Sequence, residues 1–237
     1  MLEIHPRKVA FICCTNDEEM FEECSLYIRS LDVPDGFEID IVPITGASGM
    51  TSGYNEGIKR TDAKYKVYMH QDVYILHRSF IRDMVQLFEA SPEIGLIGMT
   101  GARTFPIHGR WWEGGDTAGK VYGTINGVVQ LMNFGDIEED FAFVETVDGL
   151  LMMTQYDLPW RDDVLSGWHY YDIAQSLEYL RAGYRIAVPR QEQPWVLHDC
   201  GVSYVDPSFA DAKRLFMQEY GPMLDRLRGR VTIGQPS

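Results

Sequence analysis

Basic residues are scarce in this chain. Its 237 residues include 21 lysines and arginines against 35 aspartates and glutamates, a formal charge of −14. That balance argues against nucleic acid or an anionic membrane surface as the main partner. It also implies that a bound phosphate is neutralised by a metal rather than by a basic patch. Cysteine is sparse too: Cys13, Cys14, Cys24 and Cys200 form no CxxC pair and no even framework, which fits a reducing cytosol. No apolar run reaches the length of a bilayer span, so no transmembrane segment is expected. Met1–Arg7 is short and polar before the apolar KVAFICC begins, so no signal peptide is read there and a cytoplasmic location is expected. A GK[ST] ending and a GxGxxG run are both missing, which rules out a Walker A loop and a dinucleotide fingerprint. Internal repeats and low-complexity segments are absent as well.

What is present centres on Lys64–Leu76, KYKVYMHQDVYIL. Its apolar and aromatic residues suit a buried central strand. His70, Gln71 and Asp72 interrupt it. A carboxylate in a buried strand needs a cation or strong donors. Asp72 therefore reads either as a metal ligand where a strand ends at a cleft, or as a cap on local backbone amides.

Around this stretch the chain alternates strands and helices. Lys8–Cys14 reads as the first strand, and Thr15 or Asn16 as the cap of a helix burying Met20, Cys24, Ile28 and Leu31. Three acids in that first turn suit a base or ribose better than a phosphate. Phe37–Ile44 reads as a second strand, followed by the small-residue loop 45–53, which could admit a ligand close to the backbone. A short helix follows from Ser52, then the central strand, a helix over Arg78–Ala90 and a strand over Ile94–Met99. Successive β–α–β units imply a mainly parallel sheet flanked by helices, with ligands at the carboxyl ends of its strands. Thr15, the 45–53 loop and the 70–72 triplet all fall at such ends.

Beyond residue 100 the texture changes. Gly101–Gly119 is long, glycine-rich and aromatic, with Phe105, His108, Trp111 and Trp112. The paired tryptophans suit a lid or a platform for a sugar face, or else they plug the core. Lys120–Phe134 and Phe141–Met153 read as strands, the latter carrying Asp148-Gly149. Asp172 falls in the first turn of a helix ended by Gly183, where the helix dipole favours an ionised acid. Tyr184–Pro189 and Gln193–Leu197 read as strands, Ser208–Leu227 as a C-terminal helix, and Arg228–Ser237 as a frayed tail. One domain over 1–237 is expected, with a nucleotide-binding half at 8–99, an acceptor half at 100–206 and a C-terminal helix and tail at 207–237.

The order of these motifs resembles nucleotide-sugar glycosyltransferases of the GT-A fold, family 2-like. The first strand ends in Cys13-Cys14-Thr15-Asn16-Asp17-Glu18, similar to that family's strand-then-NE start. Ser52-Gly53-Tyr54-Asn55-Glu56-Gly57-Ile58 resembles its aRNxGi helix, and His70-Gln71-Asp72 stands where the family has DxD. Gly167–Asp172 and the helix after it resemble its ED segment, and His198 falls where many members place a late metal-binding histidine. The resemblance covers roughly residues 8–201. Two departures stand out: His70 replaces the first acid of DxD, and Thr45-Gly46 stands where a uracil-reading acid is often found.

The resemblance implies a GT-A mixed sheet, mainly parallel, and transfer of a sugar from a nucleotide diphosphate, a UDP-sugar first, to a hydroxyl of a glycan or lipid-linked saccharide. Asp72 and His198 are the implied metal ligands, for Mn²⁺ in preference to Mg²⁺. Thr15, Asn16, Thr45, Ser52, Asn55, His70, Gln71 and Asp72 are the implied nucleotide contacts. Asp172 is the implied general base if the reaction inverts the anomeric centre. Asp148 is implied for sugar hydroxyls, and Trp111, Trp112 and Trp168 for the acceptor platform and lid. A sugar-phosphate nucleotidyltransferase and a silent nucleotide-sugar-binding module are the alternatives.

Overall fold

The computed structural model describes residues 3–106, 109–201 and 207–232. In chain order the first half comprises β1 (His5–Thr15), α1 (Glu18–Arg29), β2 (Glu38–Thr45), α2 (Met50–Arg60), β3 (Ala63–His70), β4 (Val73–Ile75), α3 (Phe80–Ala90), β5 (Ile94–Gly98) and β6 (Thr100–Ala102). A single 3-10 turn, Trp111–Glu113, precedes β7 (Thr117–Ile125), β8 (Val128–Gly135), β9 (Phe141–Val144), β10 (Thr146–Val147) and β11 (Leu151–Thr154). Then come α4 (Tyr171–Arg181), β12 (Arg185–Pro189), β13 (Val196–His198) and α5 (Ser208–Thr232).

A seven-stranded sheet in the order β2-β1-β3-β11-β5-β12-β9 forms the centre. β2, β1, β3, β5 and β12 run one way, while β11 and β9 run against them. The sheet is therefore mixed and mainly parallel. Both faces are covered, which explains the near-continuous apolar runs of its strands. Val9, Phe11, Val67 and Met69 meet α1 and α3 on one face, through Cys24, Ile28, Met84 and Phe88. Ala10, Ile12, Cys14 and Tyr68 meet α2 and α4 on the other, through Met50, Tyr54, Tyr171 and Tyr179. The α2 helix approaches β1 through Gly53 and Gly57. A Cβ on them would stand 2.3 Å from Cys14 Sγ and 2.3 Å from Ile12 Cγ2 respectively, so the spacing of four tracks the packing contact.

Several expected elements differ. The 64–76 stretch is two strands, not one. β3 stays in the central sheet, and after Gln71-Asp72 the chain enters a second sheet, β10-β6-β7-β13-β4, with β8 on β7. The 120–134 run is a hairpin, turned at Asn126-Gly127 with φ of 52° and 75°. Asn-Gly is the pair such a two-residue turn favours. The 141–153 run is three short strands. The cap of α1 is Asp17, whose carboxylate accepts from Met20 N at 3.0 Å; Thr15 and Asn16 lie before it. The halves read from sequence are interleaved, because β11 lies between β3 and β5. The last helix runs on past Arg228 to Thr232, and residues 233–237 of the expected tail lie outside the described residues. His108 lies outside the described residues.

Candidate active site at the strand ends

Strand register assembles the site. Thr15 pairs with Thr45 across β1 and β2, and Cys14 with His70 across β1 and β3. β13 runs antiparallel to β4 with His198 opposite Val73, and Asp199 N donates to Asp72 O at 2.8 Å. His198 thereby arrives beside Asp72, although 126 positions separate them in the chain. On the other side, His70 N donates to Leu150 O at 3.1 Å, which draws Asp148 and Gly149 to the same edge.

His70, Asp72 and His198 form a compact triangle. His70 Nδ1 lies 3.4 Å from His198 Nε2 and 3.9 Å from Asp72 Oδ1, and His198 Nε2 lies 3.4 Å from Asp72 Oδ1. A point equidistant from the three atoms lies about 2.1 Å from each, which is the bond length imidazole nitrogen and carboxylate oxygen make to a divalent transition metal. The other nitrogen of His70, Nε2, hydrogen-bonds to the Tyr171 hydroxyl. Such an outer contact holds a ligating ring in orientation. Burial first, then the neighbouring His198, pushes His70 down to about 4, so its ring is neutral near pH 7. Burial would lower His198 as well, but the hydrogen bond and charge of Asp72 outweigh it and raise His198. The donor set and spacing fit a divalent metal, with His70, Asp72 and His198 as its holders.

Two clefts flank the triangle. One, about 560 Å³, is lined by Thr15, Asn16, Gly46, Gln71 and Trp168, with His70 and Asp72 on its wall. The other, about 330 Å³, is lined by Thr100, Trp111, Met132, Asp148 and Cys200, with His198 on its wall. Gln71 builds the first. Its Oε1 accepts from Thr15 Oγ1 at 2.7 Å, Asn16 N at 3.0 Å and Asp17 N at 3.2 Å, and its Nε2 donates to Asn16 Oδ1 at 2.7 Å. It clasps the loop between β1 and α1 and presents little free amide to a ligand.

Asp172 sits in the first turn of α4 and accepts from Gly149 N at 3.1 Å. The helix start was expected to keep it ionised. Instead burial, reinforced by the charge of Asp148, lifts it to about 7 against the pull of the backbone amides of Ile173 and Gly149. Tyr170, just before it, adopts φ +63°, rare for a bulky side chain. That turn places Tyr171 and Asp172 on the site. Gly149 is needed for the close approach, since a Cβ there would stand 2.2 Å from the Tyr171 hydroxyl.

Other expected site residues do different work. Thr45 is exposed at the end of β2 and does not line either cleft. Ser52 donates to Gly49 O at 3.1 Å, and Asn55 pairs with both the N and O of Trp160 at 2.8 Å each. Neither lines a cleft; both fasten α2. Trp111 is 2% exposed, packs against Phe134 in a tilted pair and donates from Nε1 to Asp148 at 3.1 Å, so it is a core plug that also walls the second cleft. Trp112 and Trp168 are 44% and 49% exposed. Sequence reasoning did not place His70 among the candidate metal-holding groups, nor Tyr171 beside it. The single legible signal was the position of His70 two residues before Asp72.

A family model described as a glycosyltransferase-like family matches residues 10–220. The chain belongs to that glycosyltransferase-like family. Among solved structures, the fold matches the mannosyltransferase PcManGT from Pyrobaculum calidifontis in complex with GDP-Man and Mn²⁺, at 14% identity and TM-score 0.53 over 84% of this chain. It matches S. aureus TarS at 14% identity and TM-score 0.55 over 90% of this chain. It matches GalNAc-T7 with UDP, GalNAc and Mn²⁺ at 9% identity and TM-score 0.60 over 91% of this chain. The glycosyltransferase-like chain spans 58%, 39% and 49% of those three chains. At such identities the likeness is one of fold, and the fold is the GT-A type. No curated protein matches it. Among the described residues no helix is long and apolar enough to cross a membrane.

Proposed function

We propose that the chain transfers a sugar from a nucleotide-diphosphate donor to a hydroxyl of a saccharide acceptor, free or lipid-linked. The observation that carries this reading is the His70–Asp72–His198 triangle standing between two clefts at the carboxyl edge of the sheet. A UDP-sugar is the first donor to test, and Mn²⁺ the first metal, with Mg²⁺ as the weaker substitute. Two of the similar structures hold Mn²⁺ with GDP-Man or with UDP and GalNAc, which supports a metal and leaves the choice of base to experiment. A dication held by the triad would supply Lewis-acid charge to the departing diphosphate.

The protein's own groups divide the remaining work. The Thr15–Asp17 loop, clasped by Gln71, forms a polar wall for the nucleoside in the larger cleft. Asp148, fixed by Trp111 Nε1 and by Leu150 N at 2.8 Å, offers its carboxylate to sugar hydroxyls in the smaller one. Asp172 takes the proton of the acceptor hydroxyl. A carboxylate lifted to about 7 is a stronger base than an ordinary aspartate and is half ionised at neutral pH. Trp168 and Trp112 provide exposed rings for the acceptor face. The four cysteines, all free, support a reducing cytoplasmic setting.

Calorimetric titration of UDP, with GDP as control, in Mn²⁺ and then in EDTA tests the donor site. Asp72→Ala should lose both metal-dependent nucleotide binding and turnover, whereas Asp172→Asn should lose turnover alone. Absence of binding to either nucleotide, with and without metal, would refute the reading.

A further inference from the structure

The first acid of the family's metal motif is a histidine here, and its Nδ1 faces His198 and Asp72. We propose that His70, Asp72 and His198 form a metal centre assembled before the nucleotide arrives, one that takes transition-metal dications such as Mn²⁺, Co²⁺ and Zn²⁺ and discriminates strongly against Mg²⁺ and Ca²⁺. The inference rests on the reading of this edge as a metal site, and not on sugar transfer itself.

Three observations carry it. The ligand atoms already converge to within 3.4–3.9 Å of one another, so no ligand has to be recruited. Each ligand is tied to the fold by an independent contact. His70 is held by its backbone bond to Leu150 and by the Tyr171 hydroxyl, Asp72 by the Asp199 amide, and His198 by its register opposite Val73. Finally, the donor chemistry is two imidazoles and one carboxylate. Mg²⁺ and Ca²⁺ are hard ions that bind through oxygen, whereas imidazole suits transition dications, and two histidines with one carboxylate is a recurrent transition-metal set. A site built from several carboxylates has no such bias. With both imidazoles neutral and Asp72 ionised, the three groups would hold a dication without cancelling its charge, leaving it able to supply Lewis-acid charge to a donor diphosphate.

The Tyr171 contact belongs to the same device. With Nε2 of His70 engaged by Tyr171, Nδ1 is the nitrogen left to face the other two ligands. Gly149 and the left-handed Tyr170 are the local features that let Tyr171 come so near.

The test uses the whole chain, stripped with EDTA and dialysed, with no nucleotide present. Free Mn²⁺ is followed by electron paramagnetic resonance, Co²⁺ by its visible absorption, and Mg²⁺ by competition. One equivalent of Mn²⁺ or Co²⁺ should bind, and a hundredfold excess of Mg²⁺ should not displace it. His70→Asp, which restores an acid, should narrow the preference for Mn²⁺ over Mg²⁺ at least tenfold. Tyr171→Phe should keep the fold, checked by its thermal midpoint, and weaken metal binding roughly 10–100-fold. Metal uptake only in the presence of UDP or GDP, or equal competition by Mg²⁺, would overturn the inference and leave sugar transfer standing. Selective uptake without nucleotide, in a protein that turns over no nucleotide sugar, would support the centre while removing the transfer reading.

Discussion

Asp172→Asn should make the metal-free protein more stable while removing its activity. The carboxyl of Asp172 is lifted from an ordinary 3.8 to about 7, first by burial and then by the charge of Asp148. Below about pH 4 the group is protonated in the folded and unfolded chains alike and contributes nothing to the pH dependence. Between about 4 and 7 the unfolded chain releases the proton while the folded chain retains it, so stability falls as pH rises. Above about 7 the folded chain carries the charge and the full penalty remains. At 1.36 kcal/mol per unit, a rise of about 3 units corresponds to about 4 kcal/mol. Asparagine has no proton to lose, and its side-chain oxygen can still accept from Gly149 N. Urea unfolding of both proteins in EDTA, at pH values from 4 to 8.5, reads the difference directly. The variant's advantage should grow with pH and level off above about 7, approaching 4 kcal/mol. A difference that is flat with pH, or one that favours the parent increasingly at high pH, would refute the claim that Asp172 is held above the usual carboxylate range. In the active protein the same group should make turnover rise through pH 7 as the base loses its proton.

Gly57→Ala should destabilise the fold by roughly 1–3 kcal/mol in chemical denaturation, because its Cβ would stand 2.3 Å from Ile12 Cγ2 between α2 and the central sheet. An unchanged midpoint would mean that Ile12 yields freely. Gln71→Ala removes the acceptor shared by Thr15, Asn16 and Asp17 without touching a metal ligand. The KM for the donor nucleotide should rise about tenfold as that loop loosens, with the thermal midpoint nearly unchanged; an equal loss in kcat at constant KM would place Gln71 in the chemical step instead.

The layered architecture was legible because its cause is local. Strands covered on both faces become continuous apolar runs, and the helices between them show their buried stripe at helical spacing. Val9–Cys14 and Tyr65–Met69 could hardly be anything but central strands. The break at Gln71-Asp72 was visible as polarity but not as a change of sheet, since leaving one sheet for another depends on a partner strand far along the chain. Likewise Trp111 and Trp112 look alike in the sequence. The turn at 111–113 and the packing of Phe134 decide that one is buried and the other exposed.

The same division runs through the site. Residue order by itself determined the family likeness, the strand-end location and the candidacy of Asp72, His198, Asp148 and Asp172. Whether those groups meet, and in what state, was decided by tertiary structure. His198 reaches Asp72 only because β13 pairs with β4, and Nδ1 of His70 is the nitrogen left to face them only because Tyr171 takes the other. Asp172 has the helix start that ordinarily favours a charged acid, yet burial beside Asp148 outweighs it. The physical reason is common to all three. Backbone pattern and helix dipoles act over neighbouring residues, whereas coordination geometry and desolvation depend on atoms brought together from distant parts of the chain.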